Sequence, residues 1–190
     1  MLVIGSKDGT AYITDLTKQG AILQKLNFKP APNQKNMIMR SCLFARDNSL
    51  YTLCTQAQVP TYVIRWQSNQ NEKTKVYSWT PAITKEVHNK PSAAMRASRQ
   101  GQIAVLTSDG YVSLLDAASL SETTSKRRPH VMPITSAVFL EDEQKIITAG
   151  LDYKYCILPM SASTWLGMVT KLLVNMGFFL LLLLYFAGWF

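Results

Sequence analysis

The chain has 190 residues, 47% of them hydrophobic and 17% charged, and its 20 lysines and arginines against 12 acidic residues give a net charge of +8. This length excludes two large domains, and the composition is too apolar for a disordered chain. Three cysteines, an odd number at no metal-ligand spacing, and the lack of any Asn-x-Ser/Thr sequon argue against an oxidising compartment and against a zinc site.

A repeated pattern runs through the first 160 residues. Each copy reads as a strand, a polar turn and a second strand, and two copies place an Asp-Gly pair in the turn, at Asp8 and Asp109. The copies end at intervals of about 43 to 51 residues, near the roughly 40 to 45 residues of one four-stranded propeller blade. They cover residues 2–15, 49–66, 103–116 and 145–158.

Further strands are predicted around these pairs. A strand that ends in a polar turn precedes each later copy, and a fourth strand follows the first two copies, while residues 55–61 and 67–75 are expected to be long connections. No 12-residue stretch carries a helical period, so residues 1–160 are predicted to be all-β, forming about three and a half blades of a WD-type β-propeller expected to have seven. The flanking strands are predicted at 21–28, 40–44, 75–79, 93–95 and 134–139.

The two histidines fit the same register. His88 precedes Asp109 by about 21 residues, and His130 precedes Asp152 by about 22. A WD-type blade places a histidine before its first strand, where it can hydrogen-bond the aspartate of a later turn and brace the blade. Catalysis or metal binding is the alternative, but neither histidine has a second His, Cys or carboxylate at ligand spacing.

No catalytic, cofactor or metal site is predicted. The chain contains no phosphate-binding glycine-rich loop, no Gly-x-Ser-x-Gly elbow, no Cys-x-x-Cys pair and no paired-carboxylate motif. The chain is therefore not expected to catalyse a reaction itself, and its function is expected to lie in binding to partners.

The blade array is expected to be incomplete. No first strand precedes the first copy and no fourth strand follows Pro159, so the pattern predicts the C-terminal half of a longer protein, as a truncated product or isoform. An open array exposes strand edges. Soluble forms are therefore expected to aggregate or to pair with a second chain.

The last 19 residues or so, 172–190, form an uncharged run predicted to be a transmembrane helix after a short linker at 161–171. At 1.5 Å per residue it spans about 28 Å, near the thickness of the endoplasmic reticulum bilayer. The positive flank at Lys171 predicts a single-pass tail anchor with the propeller in the cytosol. The alternatives are a buried core helix and, given the small residues at 161–163, a glycolipid-anchor signal.

The middle of the chain is basic. Between residues 17 and 107 there are 13 lysines and arginines against three acidic residues. Anionic lipid headgroups, an acidic protein and nucleic acid are possible counterparts, beside a merely solvated basic surface. Residues 126–130, Lys-Arg-Arg-Pro-His, could be a nuclear signal or a phosphate contact. Arg127 is predicted to lie on an inter-blade loop, where Arg127→Ala changes the free energy of unfolding by no more than about 0.5 kcal/mol.

The order of these features resembles one family. Degenerate WD-type repeats at 49–66 and 102–116, and the run from 134 through Pro159 towards the C-terminal apolar segment, are similar to the endoplasmic-reticulum guanine nucleotide exchange factors of Sar-type small GTPases, the prolactin regulatory element-binding protein family. The likeness extends over the whole chain. It depends on architecture more than on any single motif.

The resemblance implies a seven-bladed cytosolic propeller that binds a Sar-type GTPase, expels GDP and starts assembly of the coat protein complex II on vesicles. In that family the exchange-promoting, potassium-binding loop lies in the N-terminal half, and no position of this sequence corresponds to it. No site residue is carried over. A non-catalytic, membrane-tethered interaction scaffold is the second hypothesis, and nucleic-acid binding is a distant third because an anchor would keep the chain away from chromatin.

Overall fold

A computed structural model describes residues 1–31, 36–45, 49–70, 77–124, 126–140 and 144–160. Within them, thirteen strands form four antiparallel sheets, which we name blades 1 to 4 in chain order. Blade 1 consists of β1 (Leu2–Gly5), β2 (Thr10–Asp15) and β3 (Ala21–Asn27). Blade 2 consists of β4 (Ile38–Phe44), β5 (Leu50–Gln56), β6 (Val59–Gln70) and β7 (Tyr77–His88). Blade 3 consists of β8 (Ser92–Ala97), β9 (Gln102–Thr107) and β10 (Val112–Asp116), and blade 4 of β11 (Ile134–Phe139), β12 (Lys145–Gly150) and β13 (Tyr155–Pro159).

The all-β prediction is confirmed, since the described residues contain no α-helix and only one short 3-10 turn, at Leu16–Lys18. The sheets pack in sequence order like propeller blades, and strands lie at or near every predicted position. Among the described residues no helix is long and apolar enough to cross a membrane. The predicted linker, 161–171, and the predicted span, 172–190, lie outside the described residues.

Of two connections predicted in blade 2, 55–61 was wrong and 67–75 was wrong over 67–70, while 71–75 lies outside the described residues. The segment 55–61 is a tight hairpin, because β5 ends at Gln56 and β6 begins at Val59. Residues 67–70 belong to β6, which pairs with β7 along a long hairpin. The end of β6 is polar and exposed, so cross-strand pairing and not burial maintains it.

The core consists of three apolar layers, one between each pair of neighbouring blades. Side chains alternate across a strand, so a central blade can bury both of its faces. In β9, Ile103 and Val105 pack towards blade 2, whereas Ala104 and Leu106 pack towards blade 4. Because their blades are covered on both faces, β5 and β9 are buried along nearly their whole length. In β2, whose blade has one neighbouring blade among the described residues, buried and partly exposed side chains alternate.

Blade 3 has no regular fourth strand in the described residues. In its place, residues 117–124 and 126–133 cross the blade as an irregular segment that makes two isolated bridges, Leu115 with Glu122 and Val112 with Arg127. Leu120 anchors this segment, because its side chain is fully buried in the layer between blades 2 and 3 although its φ is +55°. We name residues 117–124 and 126–133 the crossing segment.

Candidate functional site

The His130 ring is buried at the junction of blades 3 and 4 and has a polar partner at each nitrogen. Its Nδ1 lies 2.9 Å from Asp152 Oδ1, and its Nε2 lies 2.9 Å from Thr148 Oγ1. An ionised carboxylate only accepts hydrogen bonds, so Nδ1 carries the hydrogen towards Asp152. Gly150 leaves room for the ring, because a Cβ at that position would lie 2.6 Å from Nδ1. The predicted contact between His130 and Asp152 is confirmed.

The His88 ring makes the equivalent contact between blades 2 and 3, with a different nitrogen. Its Nε2 lies 2.9 and 3.1 Å from the two carboxylate oxygens of Asp109. Thr107 donates a second hydrogen bond to that carboxylate, at 2.6 Å. The His88 ring also lies beside the Tyr111 ring, with 5.7 Å between centroids. This predicted contact is confirmed as well.

Both aspartates remain ionised at lower pH than a free side chain would. Burial alone would raise the pKa of Asp109, but hydrogen bonds from Thr107 and His88 outweigh it and lower the pKa below 3.8. Burial likewise opposes ionisation of Asp152, and hydrogen bonds from His130 and from the backbone of Val131 lower its pKa. Each pair therefore joins an ionised carboxylate to a histidine.

Two of the three cysteines are unsuited to nucleophilic chemistry. Burial raises the pKa of the Cys42 thiol to about 11 and that of Cys54 to about 12, which makes both poor nucleophiles at neutral pH. In the described part of the chain, no three His, Cys, Asp or Glu side chains converge to hold a metal ion.

The basic run in the crossing segment connects three blades. Lys126 Nζ donates to the Val87 carbonyl of blade 2, at 2.5 Å. Arg127 donates to the Pro159 carbonyl of blade 4, at 3.0 Å. The third side chain, Arg128, donates to the Asp109 carbonyl of blade 3 at 3.2 Å and lies over the Tyr111 ring. Each of the three side chains therefore caps a backbone carbonyl of the protein itself, and the hypothesis of a phosphate contact stays a prediction.

Arg127→Ala should consequently lower the free energy of unfolding by about 1 kcal/mol, more than a loop position would. The lost hydrogen bond leaves the Pro159 carbonyl without its guanidinium partner at the outer edge of blade 4. Urea unfolding of the full chain in detergent, followed by tryptophan fluorescence, measures the change. Lys154→Ala, at an exposed turn position, is the matched control, and equal stability of the two variants would contradict the assignment.

Two clefts lie at opposite ends of the contact between blades 2 and 3. One, of about 590 Å³, is lined by side chains of both charges, including Glu86, Lys90, Asp109 and Lys126. The other, of about 290 Å³, lies beside the turn 98–101 and the start of the crossing segment. Loops at the ends of blades can hold protein partners, so these clefts are candidate contact regions.

The cations of the basic middle do not gather at one end of the blades in the described residues. Lys18 follows β2 and Lys29 follows β3, which places them at opposite ends of blade 1. Lys90 and Arg99 flank β8 in the same way. These four cations therefore lie at both ends of blades 1 and 3.

Comparison with known proteins shows a likeness of fold to solved structures. No family model matches the chain, and no curated protein matches it. Among solved structures 505 chains match, including the crystal structure of the computationally designed Ika4 protein, with a TM-score of 0.63, 16% sequence identity and coverage of 84% of each chain. At this identity the likeness concerns the fold alone, because one fold hosts many unrelated functions.

Proposed function

We propose that the chain is part of a guanine nucleotide exchange factor for a Sar-type small GTPase at the endoplasmic reticulum membrane, where it promotes formation of coat protein complex II vesicles. One observation carries the proposal: four propeller-like sheets, whose last described strand ends at Pro159, are followed in the sequence by an uncharged run at 172–190. This order of propeller and C-terminal apolar segment is the one that the resemblance is based on.

The apolar run supports the membrane part of the proposal. Its length matches a thin bilayer such as that of the endoplasmic reticulum, and the positive charge of Lys171 on its N-terminal side favours blades on the cytosolic side. Exposed cations of the blades, such as Lys18 and Arg99, would then lie near anionic headgroups. Each such lysine or arginine contributes about 1 kcal/mol to membrane association.

The blades would contribute binding surface and tethering, and the chemistry of exchange would come from elsewhere. Nucleotide release requires a group that enters the nucleotide site and weakens the contacts to phosphate and Mg²⁺. Two connections are the places where such a group was sought, and in their described residues 55–61 is a tight hairpin and 67–70 is strand. No residue of this chain matches the exchange loop of the family.

The 190-residue chain alone should therefore leave the rate of GDP release at its spontaneous value. The same chain extended by upstream in-frame coding sequence should accelerate release well above that value. Both forms are reconstituted in liposomes with a Sar-type GTPase, and exchange is followed by stopped-flow tryptophan fluorescence. Acceleration by the 190 residues alone would contradict the absence of the exchange element.

A membrane-tethered interaction scaffold is the second candidate function. The two clefts between blades 2 and 3 favour it, because they offer binding surface that requires no exchange element. The same assay separates the two functions. An extended form that binds the GTPase but leaves GDP release unchanged would exclude exchange and favour the scaffold.

A further inference from the structure

Four large apolar side chains are exposed together at one end of blade 4. Two belong to the turn between β12 and β13, and two to the part of the crossing segment that leads into β11, the entry loop of the blade. Hydrogen bonds join turn and entry loop, from Leu151 N to the Pro133 carbonyl at 2.9 Å and from Val131 N to Asp152 Oδ2 at 3.3 Å. We name the four residues the apolar tip: Val131 (70% exposed), Met132 (45%), Leu151 (49%) and Tyr153 (fully exposed).

Blade 3 has polar residues or glycine where blade 4 has the apolar tip. The two blades can be aligned because Ser108 N donates to the Pro91 carbonyl just as Leu151 N donates to the Pro133 carbonyl. The positions equivalent to Leu151, Tyr153, Val131 and Met132 are, in that order, Ser108, Gly110, Asn89 and Lys90. The fold of a blade therefore does not require apolar residues at these positions, and an exposed apolar cluster of this kind marks a contact with a partner.

Tyr153 occupies a position that is glycine in blades 1 and 3. Its φ is +57°, in the left-handed region that favours glycine, and the equivalent Gly9 and Gly110 have φ of +85° and +88°. Those two glycines are buried, because the entry loop of the next blade lies on each of them and a Cβ would overlap it. A further blade packed in this way would meet the Cβ of Tyr153 with its own entry loop. A tyrosine here therefore keeps the apolar tip open in a larger ring as well.

Cations flank the apolar tip. Lys154 directly follows Tyr153 and is exposed, and Arg128, two residues before His130, is exposed as well. The adjacent carboxylate of Asp152 is directed inwards to His130. A surface complementary to the tip would therefore be apolar at its centre and carry carboxylates at its rim. Tyrosine suits the centre of such a contact, because it is among the side chains that contribute most to binding at protein interfaces.

A folded protein in solution fits the tip better than a lipid surface does. β13 leads from Tyr155, beside the tip, to Pro159 at the other end of blade 4. The chain continues in sequence from that other end towards the uncharged run 172–190. With the membrane attachment proposed above, the tip therefore lies at the end of the blade remote from the point where the chain leaves for the bilayer.

We infer that the apolar tip binds an apolar pocket with an acidic rim on a folded protein, with Tyr153 at the centre of the contact, and that this protein is the Sar-type GTPase. For the identity of the partner, the inference rests on the proposed function. The chemistry of the contact follows from the tip itself. The tip would hold the GTPase against the blades, while the group that releases GDP comes from elsewhere.

Binding of the GDP-loaded GTPase to the full chain in proteoliposomes, measured by flotation over a concentration series, tests the inference. Tyr153→Gly introduces the residue of blades 1 and 3 at a positive φ, so the melting temperature should stay the same or rise. The dissociation constant should nevertheless increase about tenfold or more. Lys154→Glu should weaken binding in the same direction, because it opposes the acidic rim. Leu16→Ala, which changes an exposed apolar side chain of blade 1, is the matched control and should bind like the wild type.

The possible contrary results are distinguishable. If the wild-type chain does not bind the GTPase, the inference fails together with the binding role proposed for the blades. If the wild type binds and Tyr153→Gly binds equally well, the inference fails and the proposed function stands.

Acetylation of tyrosines by N-acetylimidazole, followed by mass spectrometry, separates the GTPase from lipid as the partner. In proteoliposomes Tyr153 should react, and the GTPase should protect it, whereas Tyr77, an exposed side chain of blade 2, should react in both cases. Protection of Tyr153 by the bilayer without the GTPase would overturn the inference and assign the tip to the lipid surface.

Discussion

Gly110→Ala should lower the free energy of unfolding by more than about 3 kcal/mol and leave little folded chain. Gly110 has φ +88°, a left-handed conformation that costs an alanine about 1 to 2 kcal/mol. In addition, a Cβ at this position would overlap the backbone carbonyl of His130, which belongs to the crossing segment. The turn of blade 3 and the crossing segment would have to separate, and the contacts of His130 would be lost with them.

Gly101→Ala isolates the steric part of this effect. Gly101 has φ +79°, similar to that of Gly110, but a Cβ there would meet nothing within 4 Å. It should therefore show only the backbone cost, about 1 to 2 kcal/mol. Urea unfolding of both variants, followed by circular dichroism, gives the comparison. Equal destabilisation would show that the packing of Gly110 against the crossing segment does not contribute.

His130→Ala should lower the free energy of unfolding by about 3 kcal/mol, because it removes a buried ring and takes one hydrogen bond from each of two polar partners. The Asp152 carboxylate and the Thr148 hydroxyl both lose a hydrogen bond, at a site where the ring is only 1% exposed. Thermal unfolding of the full chain, monitored by circular dichroism, measures the loss.

His88→Ala is the matched control for this substitution. His88 is 8% exposed, and in the described contacts its ring nitrogens have one carboxylate partner, to which Thr107 also donates. Its loss should therefore cost about half as much. A His130→Ala variant of normal stability that fails to bind a partner would contradict the structural role and direct attention to function.

The strands that have a clear local pattern of apolar residues were predicted from the sequence. The bounds of β11 agree to the residue, because an apolar strand precedes a charged turn. The two His–Asp pairs were found because a fixed interval recurs along the chain. Residues 67–70 were not predicted as a strand because their side chains are all polar and show no alternation of apolar and polar residues. Their pairing with β7 depends on the fold and cannot be read from the segment itself.

The role of the crossing segment was missed for a related reason. Three consecutive basic residues look like a solvated loop, and their targets, the carbonyls of Val87, Asp109 and Pro159, lie about 20 to 40 residues away in sequence. One signal was available: the run ends at His130, whose partner Asp152 had been identified. A run that is held at one end by a buried residue has limited freedom to leave the surface.

The layers between blades have a consequence for how the chain loses its structure. Each layer joins only consecutive blades, which gives a one-dimensional series of coupled units in which opening begins at the ends. The two ends are not equivalent. The crossing segment ties blades 2, 3 and 4 together through Lys126, Arg127 and Arg128, whereas blade 1 is held only by blade 2 among the described contacts. Amide hydrogens of β1 to β3 should therefore exchange through openings of lower free energy than those of β8 to β10, so that blade 1 forms a separate cooperative unit.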